Sequence, residues 1–150
     1  ANLEEAILSY ADLYGADLTY ADLNDANLWN ASLIGAYLYY ADLTNAYLYY
    51  ADLFGAYLSE ADLTGADLED AVLSYADLTN SSLNDAELDD ANLRYADLIN
   101  ANLTGAYLEN ADLSYANLTG ADLTNVVWDW AVCPDGTNAY YHEQNCENNL

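Results

Sequence analysis

The sequence is nearly devoid of positive charge. Arg94 is its single Lys or Arg residue, set against 26 acidic residues in 150, and the formal net charge is −25. Such a surface repels phosphate backbones and anionic headgroups, which argues against direct binding to nucleic acid or to lipid. No run of 18 apolar residues occurs, so no segment reads as a membrane span. Methionine is missing, and proline and phenylalanine each occur once. The lone histidine, His142, has no partner in register. No glycine-rich phosphate loop, zinc-ligand spacing or Ser or Cys with a nearby base is present, so the sequence reads as non-enzymatic.

Insertions are lacking as well. From Ala1 to Asn125 the chain repeats one five-residue unit, Ala-(Asp/Asn)-Leu-x-x. Leu occupies position 3 and every fifth residue to Leu123, and Ala precedes it by two everywhere except at Ser81. Two degenerate units follow, Val126 to Trp130 and Ala131 to Asp135. A period of five fits neither the 3.6 of a helix nor the 2 of a strand, so the chain must turn once per unit. A short extended piece with Ala and Leu inward, followed by a two-residue corner, closes a four-sided coil after four units. Stacked coils then hydrogen-bond at about 4.8 Å, the spacing of adjacent strands. The interior is a packed Leu and Ala ladder, not a channel.

These units resemble the pentapeptide-repeat family over more than four fifths of the chain. The resemblance implies an all-β, right-handed quadrilateral parallel β-helix, four pentapeptides per coil and about 6–7 coils, with the middle Leu of each unit inside. Residues 1–135 form the expected β-helix and 136–150 a C-terminal capping tail. The Cys-Pro-Asp-Gly-Thr stretch from Cys133, with a second cysteine downstream, resembles the closing segment of cyanobacterial members.

Residue 1 is Ala with the repeat already in register, which fits removal of a leader or a trimmed chain. Cys133 and Cys146 are the only cysteines. Such a close pair favours a disulfide in an oxidising compartment; two free thiols, with Cys133 simply packed inward, is the other reading. The expected location is extracytoplasmic: secreted, periplasmic or thylakoid-lumenal.

If residues twenty apart are vertical neighbours, function must be sought on four outer faces. The first, carrying Asp22, Asp42 and Asp62, is polar throughout; it reads as solvated, with cation binding by that stack as the alternative. Its Thr44, Thr64, Thr104 and Thr124 suit a cross-strand hydroxyl ladder. The second face is aromatic above and acidic below, where Asp67, Glu69, Asp70, Glu87, Asp89, Asp90 and Glu109 crowd together. These carboxylates must be screened, protonated or bridged, and Ca²⁺, which favours hard oxygen ligands, is the candidate cofactor; a screened acidic patch is the alternative. Around the second, third and fourth faces, Tyr14, Trp29, Ile34, Tyr37, Tyr39, Tyr40, Tyr47, Tyr49, Tyr50, Phe54 and Tyr57 wrap the chain in an aromatic belt. Contiguous exposed apolar surface marks an interface; cross-strand stacking that only stabilises the coils is the other reading.

The expected function is a structural or scaffolding solenoid that self-associates, end to end or through the belt, while presenting an acidic surface. The resemblance implies a second reading, a DNA-mimicking modulator of DNA gyrase, although the tail with Pro134 and Gly136 does not resemble the helical dimerisation module of those members. A secreted module binding a protein or glycan through its tyrosines is a third.

Overall fold

A computed structural model describes residues 1–139 and Cys146. His142 and most of the 136–150 tail lie outside the described residues. The second residue of each unit forms a parallel bridge with the residue twenty positions on, beginning with Asn2 to Asp22 and Ile7 to Asn27 and continuing to Asp112 with Val132. Four columns of bridges result, one per face. Each face is a single bridged residue long, because the chain turns again before a longer strand can form.

Unit 51–55 accounts for all five of its amide protons. Asp52 donates to the Ala31 carbonyl of the preceding coil (3.0 Å), and Leu53 and Gly55 donate to Val72 and Ser74 of the following coil (2.7 and 2.9 Å). Ala51 closes the preceding corner by donating to Leu48 (2.8 Å), as the first residue of the next unit, Ala56, does to Leu53 (3.0 Å). The Phe54 amide has no carbonyl within reach and donates instead to Asp52 Oδ1 (3.1 Å). This local Asx bond gives Asp and Asn at the second position a structural task and recurs widely, for example from Thr44 to Asp42 and from Thr79 to Asp77.

The corner also fixes the fifth position. Its φ is positive from Glu5 to Trp130, between 54° and 75°, as a type II turn requires at its second central residue. Asn, Asp and Gly suit that conformation, yet seven tyrosines also adopt it, among them Tyr75, Tyr95 and Tyr115. A bulky residue there is strained, so those tyrosines need compensating contacts.

Inside, every Leu from Leu23 to Leu113 is fully buried, and the Ala positions between them are closed to solvent. Each such Leu contributes about 1.5–3 kcal/mol by burial. Ser81, the one departure from Ala, is also buried and returns its hydroxyl to the Leu78 carbonyl at 2.7 Å, so no polar group is orphaned. In the first coil Leu3, Leu8 and Leu13 are only partly buried.

At the other end Trp128 and Cys133 take over the inward Leu position and are buried. The chain then reverses at Gly136 (φ 82°), and Asn138 forms an antiparallel bridge with Val132. Ala139 donates to Ala131 (2.8 Å), Asn138 Nδ2 donates to the Trp130 carbonyl (2.8 Å), and a Cys133–Cys146 disulfide ties the fold-back down.

Candidate functional site on the outer surface

With the interior filled, chemistry is confined to the outward columns. The proposed belt divides into three ring groups, one to a face, and among the described residues no ring contact crosses from face to face. On the fourth face Tyr37 stacks on Tyr57 (5.1 Å between centroids, 4° between planes), Tyr39 leans on both, and Tyr20 stacks on Tyr40 (5.0 Å, 10°). On the second face Tyr10 meets Trp29 edge-on at 4.8 Å, and Tyr49 meets Tyr50 at 4.2 Å. Asn27, Trp29, Tyr47, Tyr49 and Asp67 line an open groove of about 250 Å³ there. On the third face Phe54 touches Tyr75, which begins a stack through Tyr95 to Tyr115 at 4.9 Å per step. Ile34 is half-buried on this face, and Tyr14 is largely exposed. The corners account for the division: they turn neighbouring faces away from one another.

That third-face stack is where the single cation resides. The Arg94 guanidinium lies 5.7 Å from the ring centres of both Tyr95 and Tyr115, and its Nη1 donates to Asp112 Oδ2 at 2.9 Å. Burial works against the Asp112 carboxylate, but bonds from Ser114 and the facing guanidinium more than offset it and hold its pKa below the usual value. The column pattern places Tyr75, Tyr95 and Tyr115 above one another. It gives no sign that Arg94 would seat itself among them.

Of the acidic group, Asp67, Glu69, Asp70 and Asp89 are half-buried, and Glu87, Asp90 and Glu109 are exposed. Burial, then repulsion from Asp67, Asp70, Asp89 and Asp90, pushes the Glu69 pKa up. Asp89 Oδ1 accepts the Glu109 amide at 2.7 Å. Among the described residues no three His, Cys, Asp or Glu side chains gather closely enough to hold a metal ion. On the first face, Oδ1 of Asp22, Asp42 and Asp62 each accepts an amide two residues on. Of the expected hydroxyl ladder one rung is present, Thr64 Oγ1 with Ser82 Oγ of the next coil at 3.0 Å; Thr64, Thr104 and Thr124 also donate to the Asx oxygen of their own unit at 2.6–2.7 Å.

Tyrosines and acids meet at one level of the rod. Tyr47 bridges to Asp67 and Tyr57 to Asp77, Tyr40 donates its hydroxyl to Glu60 at 3.2 Å, and bonds to Tyr49 and then Asp70 keep the Tyr50 phenol protonated.

This geometry agrees with comparison to known proteins. The family described as pentapeptide repeats matches in 8 copies, over residues 1–28, 11–48, 51–90 and 86–125. The chain belongs to the pentapeptide-repeat family. HetL, a pentapeptide-repeat protein involved in heterocyst differentiation regulation in the cyanobacterium Nostoc sp. strain PCC 7120, is 38% identical over 91% of this chain and 76% of its own, with a TM-score of 0.34. A second pentapeptide-repeat protein of Nostoc, alr5209, is 39% identical over 51% of this chain at a TM-score of 0.50, and the match spans 63% of its length. QnrB1, a plasmid-mediated fluoroquinolone resistance protein, is 23% identical over 83% of this chain and 73% of its own, at a TM-score of 0.51, a likeness of fold alone. No curated protein matches. Among the described residues no helix is long and apolar enough to cross a membrane.

As a pentapeptide-repeat protein, the chain keeps its interior for structure and leaves the outer columns to vary. Serine occurs naturally at the second position in Ser32 and at the fourth in Ser9, so outward aromatics are not required by the coil itself.

Proposed function

We propose that this protein is a non-enzymatic scaffolding β-solenoid that self-associates through the tyrosine array of its fourth face, Tyr20, Tyr37, Tyr39, Tyr40 and Tyr57. In this reading it is a right-handed quadrilateral helix of about 6–7 coils over 1–135, closed by the fold-back after Gly136. The observation that carries the reading is the pair of near-parallel stacks, Tyr37 on Tyr57 and Tyr20 on Tyr40, whose outward tyrosines remain 38–69% exposed. An aromatic pair contributes about 0.5–1.5 kcal/mol beyond its buried area, and an array of five offers a second copy several such contacts at once.

Charge decides the geometry of association. Two copies at −25 each repel, so side-by-side parallel pairing would set acidic half against acidic half. A two-fold axis through Tyr37 and Tyr57 sends the acidic halves in opposite directions and leaves the arrays in contact, the closed arrangement expected of an isologous interface. The Cys133–Cys146 disulfide supports an oxidising, extracytoplasmic location.

Sedimentation velocity on the oxidised protein tests this reading. The dimer fraction is expected to grow as salt rises from about 0.01 to 0.15 M, where the Debye length falls from about 30 to 8 Å. A strictly monomeric species across that range, with or without calcium, overturns it. A gyrase-modulating DNA mimic is the second reading, favoured by the use of Arg94 within the chain, which leaves the outer charge wholly acidic. Indifference of gyrase supercoiling at micromolar protein removes it.

A further inference from the structure

The second-face groove has a counterpart elsewhere in the same molecule. Where Arg94 sits, an Asp at the second position of its unit uses Oδ1 for its Asx bond and Oδ2 for the guanidinium, which lies 5.7 Å from the centres of two mutually stacked tyrosine rings. In the groove Asp67 occupies the same position in its unit, and its Oδ1 accepts the Glu69 amide at 3.2 Å. Oδ2 takes no part in that bond, and Asp67 lines the groove. The rings are supplied by Trp29, Tyr47 and Tyr49, and Trp binds cations on its face more strongly than Tyr.

We propose that this groove binds an arginine side chain from a basic protein segment. The guanidinium would lie against Trp29 and Tyr47 with Asp67 Oδ2 as its carboxylate partner. Charge complementarity selects the occupant: Asp67 lines the groove, and it is one of the carboxylates whose repulsion, after burial, raises the Glu69 pKa, so a cation beside it relieves that repulsion. A second copy of the chain cannot supply it, because the only Lys or Arg residue, Arg94, is engaged with Asp112 and Tyr95. Arg is preferred over Lys, since its planar guanidinium both stacks and bonds a carboxylate edge-on. This inference stands apart from self-association, which uses the fourth face.

The test titrates an octa-arginine amide into the oxidised protein at about 0.15 M salt, the physiological value, by calorimetry. Octa-lysine, octa-citrulline and cellohexaose serve as comparison ligands. The Trp29→Ser, Tyr47→Ser double variant places at each site a residue the repeat already carries there, and circular dichroism confirms its fold. An Asp42→Asn, Asp62→Asn variant lowers charge on the first face without touching the groove. Octa-arginine is expected to bind more tightly than octa-lysine, octa-citrulline not at all, the groove variant to lose at least tenfold in affinity and the first-face variant less than twofold. Equal losses in the two variants would reduce binding to diffuse electrostatics and overturn the proposal. So would absence of octa-arginine binding, no preference over octa-lysine, or Trp29-dependent binding of cellohexaose in its place.

Discussion

The two halves of the rod share one interior and differ most on the second and fourth faces. Above the level of Glu60 the second-position columns of the second and fourth faces carry Tyr37, Tyr47 and Tyr57; below it the same columns carry Asp67, Asp77, Glu87 and Asp97. Leu48 and Leu88, one in each half, are equally buried. The backbone bonds are equivalent too: Leu48 donates to Asp67 at 2.7 Å and Leu88 to Tyr107 at 2.8 Å. A coil therefore accepts an aromatic or an acidic exterior with little consequence for its fold, so the outward choice is open to functions such as binding.

The largest expected effect would break that equivalence from within. Leu48→Ala and Leu88→Ala should each cost about 2–5 kcal/mol in urea unfolding, as for other fully buried leucines, and the two values should agree. A lower-half loss far below the upper one would mean that the acidic coils pack less firmly than their burial implies.

Corner glycines rank next. Gly105 (φ 72°) lies under the Asp85 carboxylate, which a Cβ would strike, whereas Gly35 (φ 62°) faces open space. Gly35→Ala should cost about 1 kcal/mol for the left-handed backbone, and Gly105→Ala more, within the 1–3 kcal/mol range for a strained residue. Matched thermal melts would check the order.

The acidic half should also carry its own pH signature. Glu69 has a folded pKa above the ordinary 4.5, because of burial and then its acidic neighbours, so its charged form costs stability at neutral pH and that cost fades as acid protonates it. Asp77 and Asp112 behave oppositely. Burial opposes their charge, but bonds from Ser59 and Thr79, and from Ser114 and Arg94, outweigh it and set both folded pKa values below 3.8. Their contribution is present above the unfolded value and disappears as pH falls through the folded one. Stability should thus rise slightly as pH falls through the raised Glu69 pKa toward 4.5, then fall below about 3.8, the ordinary Asp value. Glu69→Gln should abolish the rise and Asp112→Asn should blunt the fall.

The smallest effect concerns Arg94. Its side chain is 39% exposed and its ion pair solvent-screened, so Arg94→Gln should shift the unfolding midpoint least of these variants, and less still at high salt. A larger cost would mean that the Tyr75, Tyr95 and Tyr115 stack depends on the cation.

Leucine at every fifth residue made the coil, its inward ladder and the twenty-residue register legible, because one spacing has to satisfy both burial and closure. The connectivity of the surface was not legible in the same way. The column reading puts Tyr37 and Tyr47 on different faces yet joins them in one belt, whereas the corners between them keep their ring contacts apart. The Asx bond was hidden as well: Asp at the second position read as charge, while its Oδ1 serves the backbone. Arg94 was visible only as a lone cation, since its seat combines Asp112 from one unit with tyrosines from two levels. The groove escaped notice for the same reason, since its lining comes from three coils at once.

Paired sedimentation runs on two conservative variants test most directly whether the aromatic half is the assembling one. Tyr37→Ser with Tyr57→Ser strips the fourth-face array, and Asp77→Asn with Asp97→Asn neutralises the same columns below it while keeping an Asx oxygen at each site. The tyrosine variant should remain monomeric at every salt concentration, and the asparagine variant should associate at lower salt than the parent chain. Association that survives loss of both tyrosines, or that vanishes when the two aspartates are neutralised, would contradict the assignment of assembly to the upper half.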